Sequence, residues 1–265
     1  MLIYRFLCFV ILCSSLLACR KKELPTPASP TTTAPAPLPT KGSLNIVLKN
    51  VVGKQALQLD PTIVYKLSNG DEFSVRTYNY YLSNFVFTDE NGNRYAEKES
   101  YHLAMASDPN SLNFTLKDVP FGRYKTLEFL IGVDSVRNFS GAQVGALDPK
   151  YGMFWTWSTG YIMAMLEGNS PQSANPSNVI SFHIAGFVEE NNVVQKVKLT
   201  LPADAVVTEK NSATITIQSN VASWFESFTF PGFSKIPSVS VEGPNAVNIA
   251  QSYANMMSII SVENK

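Results

Sequence analysis

Period-two alternation of apolar and polar side chains recurs along most of the chain after residue 43. Leu44-Asn45-Ile46-Val47-Leu48, Phe73-Ser74-Val75-Arg76 and Ser212-Ala213-Thr214-Ile215-Thr216-Ile217 carry it most clearly, as half-buried strands do. Asp89-Glu90-Asn91-Gly92-Asn93 is turn chemistry between residues 80–88 and 94–105, which predicts a hairpin. The run Val119-Pro120-Phe121-Gly122-Arg123-Tyr124 punctuates the chain ahead of a strand over residues 127–133, and residues 193–201 supply one more. Helical periodicity is weak, with its best candidate over residues 247–257. Many short strands separated by turns predict an all-β fold: a single-domain antiparallel β-sandwich with long loops and at most one or two short helices, covering residues 43–265.

The first 42 residues break this pattern. Arg5 precedes an apolar run that ends in Leu16-Leu17-Ala18-Cys19, a charged start and an apolar stretch too short to span a bilayer, followed by small residues. Leu16-Leu17-Ala18-Cys19 resembles the bacterial lipobox. That resemblance implies a signal peptide over residues 1–18 and an acylated amino terminus at Cys19, whose lipid (palmitate among its acyl chains) anchors the protein without spanning the membrane. Arg20 rather than an aspartate after the cysteine resembles outer-membrane sorting. Pro25, Pro27, Pro30, Pro35, Pro37 and Pro39, set among Thr, Ala and Ser, read as a semi-rigid tether over residues 19–42, extended by about 3 Å per residue.

Charge and composition remove several function classes. The 21 basic and 21 acidic residues balance, which argues against a nucleic-acid partner. Loss of residues 1–18 takes Cys8 and Cys13 with it, leaving Cys19, so an internal disulfide, a thiolate zinc site, an iron–sulfur cluster, a blue-copper cysteine and a cysteine nucleophile are all excluded. No G-x-S-x-G, phosphate-binding loop, G-x-G-x-x-G, H-E-x-x-H or C-x-x-C occurs, and neither His102 nor His183 sits in a nucleophile signature. The expectation is a protein that is not an enzyme.

Residues 134–168 stand apart. Trp155 and Trp157 lie two apart and share one strand face, and Met163 and Met165 do the same. On spacing alone, core packing accounts for both pairs; a thioether pair is also a Cu(I) ligand set. Asp134, Asn138 and Asp148 carry oxygens suited to calcium, in a spacing that matches no calcium loop and fits turn stabilisation better. Each histidine takes the less bulky face of its strand, His102 with Ala104 and His183 with Ser181 and Ala185. From the residues alone, two unrelated histidines remain the simpler reading.

The run Gly145-Ala146-Leu147-Asp148-Pro149, then Gly152-Met153-Phe154-Trp155-Thr156-Trp157, Gly160-Tyr161 and Glu167-Gly168 resembles the signature of the MbnP-like family, lipoproteins related to the copper-binding partner protein of methanobactin operons. The likeness extends to Tyr101-His102-Leu103, to Phe182-His183-Ile184-Ala185-Gly186-Phe187, and to Trp224-Phe225 with Met256-Met257. It implies a secreted β-sandwich that binds copper through histidines and a kynurenine made from tryptophan, the oxidation being done by a dihaem MauG-like cytochrome c peroxidase. Carried onto this chain, the metal residues are His102, His183 and Trp155 or Trp157. Two histidines cannot form a three-imidazole site, so a tryptophan product, a methionine, a carboxylate or water must complete it. The competing expectation is a non-catalytic surface module that binds a protein or a glycan with no metal.

Overall fold

In the computed structural model the described residues are 40–155, 160–226 and 230–265. Cys19, nearly all of the Pro/Thr-rich stretch and Trp157 lie outside them. Along this chain run β1 (Lys41–Val52), β2 (Gln55–Ala56), β3 (Tyr65–Lys66), β4 (Glu72–Asp89) and β5 (Arg94–Ala96). They are followed by β6 (Tyr101–Met105), β7 (Asn113–Pro120), β8 (Gly122–Ile131), β9 (Phe154–Trp155) and β10 (Gly160–Asn169). The series closes with β11 (Val179–Ala185), β12 (Gln195–Val207), β13 (Ala213–Asn220), β14 (Ser238–Val239) and β15 (Met257–Asn264). Among the described residues three short α-helices, besides four 3-10 turns, interrupt them: α1 (Ser135–Phe139), α2 (Ser223–Glu226) and α3 (Pro244–Tyr253). None of these is long and apolar enough to cross a membrane.

The strands form two sheets, as the alternation predicts. A smaller sheet has the order β15-β13-β1-β2 with β7 also on β1, and a larger one has β12-β8-β4-β10-β11-β14 with β3, β5 and β6 on β4 and β9 on β10. Most pairs are antiparallel, but β1 runs parallel to β13 and β11 parallel to β14. The β1–β13 pairing joins the start of the fold to a strand far along the chain. In that sheet Leu44 lies beside Ala213, which lies beside Asn264, so the two ends of the fold emerge at the same end of the smaller sheet. The predicted hairpin forms as β4–β5, and the Asp89 carboxylate accepts from the Asn91 and Asn93 amides to hold its turn. The helix predicted at 247–257 begins earlier, with Pro244 in its first turn where no amide donor is needed, and ends before Met257 enters β15.

β4 is the spine of the larger sheet. Tyr80 pairs with Ala104 of β6 and with Ala164 of β10, while Leu82 pairs with His102 of β6 and Ile131 of β8. β6 therefore borders one edge of β4, and β10 and β8 share the other edge end to end. Met163 seals the junction between them: it is fully buried, and its sulfur accepts from the Val133 amide at 3.2 Å.

Successive β4 residues face opposite ways. Tyr78, Tyr80 and Leu82 point into the layer between the sheets. The Tyr80 hydroxyl donates to Asn50 at 2.9 Å, and the Tyr78 hydroxyl lies 2.7 Å from Ser219 and donates to Met256 Sδ at 3.3 Å. Met256 Sδ also accepts from the Trp224 indole at 3.3 Å. Burial raises the pKa of the Tyr78, Tyr80 and Tyr253 hydroxyls, so all three stay protonated and able to donate. Trp224 and Met256, part of the sequence signature, thus serve the core. On the opposite face Tyr81 donates to the Ala146 carbonyl and stacks edge-on against Tyr161, whose own hydroxyl donates to the Leu147 carbonyl. The segment after β8 is roofed onto the sheet by these two tyrosines.

At the far end of β10 the register on β4 shifts between Glu167 and Gly168. A Cβ at Gly168 would stand 1.8 Å from the Ser74 carbonyl oxygen, so no larger residue fits without moving the spine. We expect Gly168→Ala to cost about 3 kcal/mol, the upper end for overpacking, as a lowered midpoint in urea denaturation. Gly53→Ala, where nothing lies within 4 Å, should cost less through its φ of 61° alone.

Candidate metal centre

The parity of β4 decides where each candidate ligand goes, because residues directly opposite on antiparallel strands share a face. His102 lies across from Leu82 and therefore faces inward. Its ring stacks on Phe114 of β7 in the smaller sheet at 3.8 Å and meets the edge of Phe85 at 5.6 Å. Its Nε2 is 2.9 Å from the Glu97 carboxylate, which also accepts from Ser100.

His183 faces the other way. It pairs with Met165, Met165 pairs with Asn79, and Asn79 pairs with Met105, all in antiparallel register. Met105, Asn79, Met165 and His183 thus form one row across β6, β4, β10 and β11, on the face opposite to His102. The sheet separates the two imidazoles, so the expected meeting of His102 and His183 around one ion does not occur in this geometry.

His183 Nε2 lies 2.9 Å from Glu167 and 3.4 Å from Ser181 Oγ. Glu167 also accepts from Thr77 at 3.0 Å, with Arg76 at 3.4 Å. Burial pushes the Glu167 carboxyl up, but the hydrogen bonds from His183 and Thr77 and the neighbouring positive charge outweigh it and hold the group below its ordinary value. An ionised Glu167 can only accept, so the hydrogen between the two groups belongs to His183 Nε2, and Nδ1 is the ring nitrogen placed to offer a lone pair when the imidazole is uncharged. Carboxylates orient metal-binding imidazoles in this way.

The remaining candidates are dispersed. Trp155 is 8 % exposed and pairs with Gly160, five residues along β10 from Met165, or about 16 Å at strand rise. Trp157 lies outside the described residues. Met163 is committed to the junction between β8 and β10, so the thioether pair read from the sequence, Met163 with Met165, is not the one facing His183; Met105 takes that place across Asn79. Asp134 caps α1 and accepts from Tyr101, Asn138 is buried and bonds the Val133 carbonyl and the Tyr161 amide, and Asp148 caps the turn at Lys150. Those oxygens serve turns, the role their spacing in the sequence fits better than calcium binding. Among the described residues no three His, Cys, Asp or Glu side chains converge in a way that would hold a metal.

Asn79 and Met105 carried no sequence signal as ligands. Asn79 sits in the run Tyr78-Asn79-Tyr80-Tyr81, where its polarity inside a buried strand was the available clue.

A family model for MbnP matches residues 41–244, from the start of β1 to the first residue of α3. The chain belongs to the MbnP family. The match takes in both histidines, Trp155 and the whole row on the outer face. The solved structure of MbnP from Methylosinus trichosporium is similar at 14% sequence identity and a TM-score of 0.48, over 72% of this chain and 79% of that one. No curated protein matches the chain.

The Glu167–His183 pair in this MbnP-family domain carries a pH signature. With its folded pKa below the ordinary 4.5, Glu167 contributes stability in full above that value, and the contribution is lost as pH falls through the lower folded value. Glu167→Gln should therefore cost about 1–2 kcal/mol at pH 7 and flatten the acid limb of stability against pH, measured by urea denaturation from pH 7 downward.

Proposed function

We propose that the protein is a lipid-anchored, non-catalytic copper-binding protein of a bacterial envelope, in a methanobactin-associated setting. The observation that carries this reading is the carboxylate-oriented His183 beside the Met165 thioether in an MbnP-family domain. Neutral imidazole suits copper in either oxidation state, and a thioether favours Cu(I). The set of His102, His183 and an indole does not fit one ion, since the two rings lie on opposite faces and an unmodified indole N–H has no lone pair to give. His183 and Met165 are the residues that would hold the metal, and copper bound there would supply a soft, redox-active cation.

The rest of the reading rests on sequence. Residues 1–18 are the signal peptide, Cys19 carries the lipid, the anchor is in the outer membrane, and residues 19–42 hold the domain off it. The partner is a dihaem MauG-like peroxidase, and Trp155 or Trp157 is the residue it oxidises to kynurenine. A second reading, docking to another envelope protein without metal, draws support from Val136, Phe139 and Val144, which are 72%, 73% and 84% exposed along the segment before β9.

Protein purified from its native host, grown with copper, tests the proposal through metal analysis and peptide mass spectrometry of one sample. Near-stoichiometric copper, with the mass gain of tryptophan-to-kynurenine conversion on the peptide holding Trp155 and Trp157, is the expected result. Copper should be lost in His183→Ala and kept in His102→Ala. No copper and two unmodified tryptophans, with the peroxidase expressed, would transfer the assignment to docking.

A further inference from the structure

Arg137 of α1 is held from several sides. Its guanidinium donates to Gln143 Oε1 at 2.7 Å, and the Gln143 amide donates back to the Arg137 carbonyl at 2.9 Å. Its charge lies 5.3 Å from the centre of the Tyr101 ring, and the Tyr101 hydroxyl is itself fixed by Asp134 at 2.5 Å. Only 30% of the side chain is exposed. The remaining partner is of another kind. The Glu99 carboxylate that meets the guanidinium is 78% exposed, and its residue stands at φ 50°, in the left-handed region that residues other than glycine rarely adopt.

An exposed carboxylate on a guanidinium contributes little stability, because water solvates the two charges almost as well when they part. Glu99 is therefore the exchangeable member of the cluster, whereas Gln143 and Tyr101 fix the cation. Two cavities, of about 360 and 230 Å³, share Glu99, Tyr101 and Arg137 in their walls. The larger also holds Glu97, whose charge opposes an anion. The smaller continues along Gln143, Val144, Ala146 and Leu147, and Glu99 supplies its only carboxylate among the described residues.

We propose that Arg137 anchors a binding site for a small organic carboxylate, which takes the place of Glu99 on the guanidinium and lays its apolar body along Val144, Ala146 and Leu147. The planar guanidinium fork matches a carboxylate, and Gln143 and Tyr101 hold that fork ready. The exchange swaps one carboxylate for another, so the charge around Arg137, with Asp134 as the other anion, is unchanged, and the released Glu99 returns to water. The smaller cavity lies below the roughly 300 Å³ at which pockets for drug-sized ligands begin, so it selects a single-ring acid. The site needs no metal and stands or falls apart from the copper reading.

The test is titration of the full chain with benzoate and, separately, with benzamide, its uncharged counterpart, followed through the Arg137 Nε–H and Gln143 side-chain amide signals in proton–nitrogen correlation spectra. Saturable shifts of both signals with benzoate and none with benzamide are the expected result. Glu99→Gln removes the internal competitor at an exposed position and should tighten benzoate binding by about two- to fivefold, the worth of an exposed ion pair. In Arg137→Lys the benzoate shift of Gln143 should be lost while the other signals keep their dispersion. Equal binding of benzamide, an affinity unchanged in Glu99→Gln, or no benzoate binding in either wild type or Glu99→Gln would overturn the site.

Discussion

The two-residue repeat of β4 is the constraint on which the rest of the molecule depends. A strand bordered on both edges cannot rotate, so each residue from Thr77 to Ser83 is assigned to one face for good. Tyr78, Tyr80 and Leu82 go to the layer between the sheets, and Thr77, Asn79, Tyr81 and Ser83 go to the outer face. β6 and β10 inherit that assignment through their pairing, and β11 inherits it from β10. A slip of one residue would carry Asn79 into the layer between the sheets and Tyr80 onto the outer face. The hydrogen bonds of Tyr78 and Tyr80 to Ser219, Met256 and Asn50 oppose such a slip, since each would leave a buried hydroxyl without a partner.

The same logic shows why the two histidines have different environments despite similar exposure and similar carboxylate partners. His102 is stacked between sheets and held by ring contacts as much as by Glu97. His183 makes its bonds to Glu167 and Ser181 on a face it shares with two sulfurs and an amide. Residues 40–265 contain no cysteine, so thioethers are the softest donors the fold has to offer, and the sheet lines up two of them with an imidazole.

Much of the fold was legible in the sequence because it is local. The strands around residues 44–48, 127–133 and 212–217 and the turn at Asp89–Asn93 follow from alternation and turn chemistry. β4 was legible only at its ends, residues 73–76 and 80–88, because Tyr78, Asn79, Tyr80 and Tyr81 are all buried and a strand covered on both faces shows no alternation. The parallel pairing of β1 with β13 has no local signal at all. The site divides in the same way. The imidazoles and the methionine-rich β10 stood out by residue type, whereas the alignment of Met105 with Asn79 and Met165 is a property of register between residues up to 86 positions apart along the chain. The opposite faces of His102 and His183 come from that register too, and spacing along the chain carries no trace of it.

The neighbouring ends of the fold have a consequence of their own. Lys41 enters the smaller sheet and Lys265 leaves it on the same side, two strands apart, with β13 between them. Joining these ends by a short linker and opening the chain elsewhere would keep every strand pair of both sheets, so the order of elements along the chain is separable from their arrangement in space. The Asp89–Asn93 turn, exposed and closed by its own side chains, is the natural place for new termini. Termini made there would leave from the larger sheet at the end of β4, whereas the present ends of the fold leave from the smaller sheet beside β13.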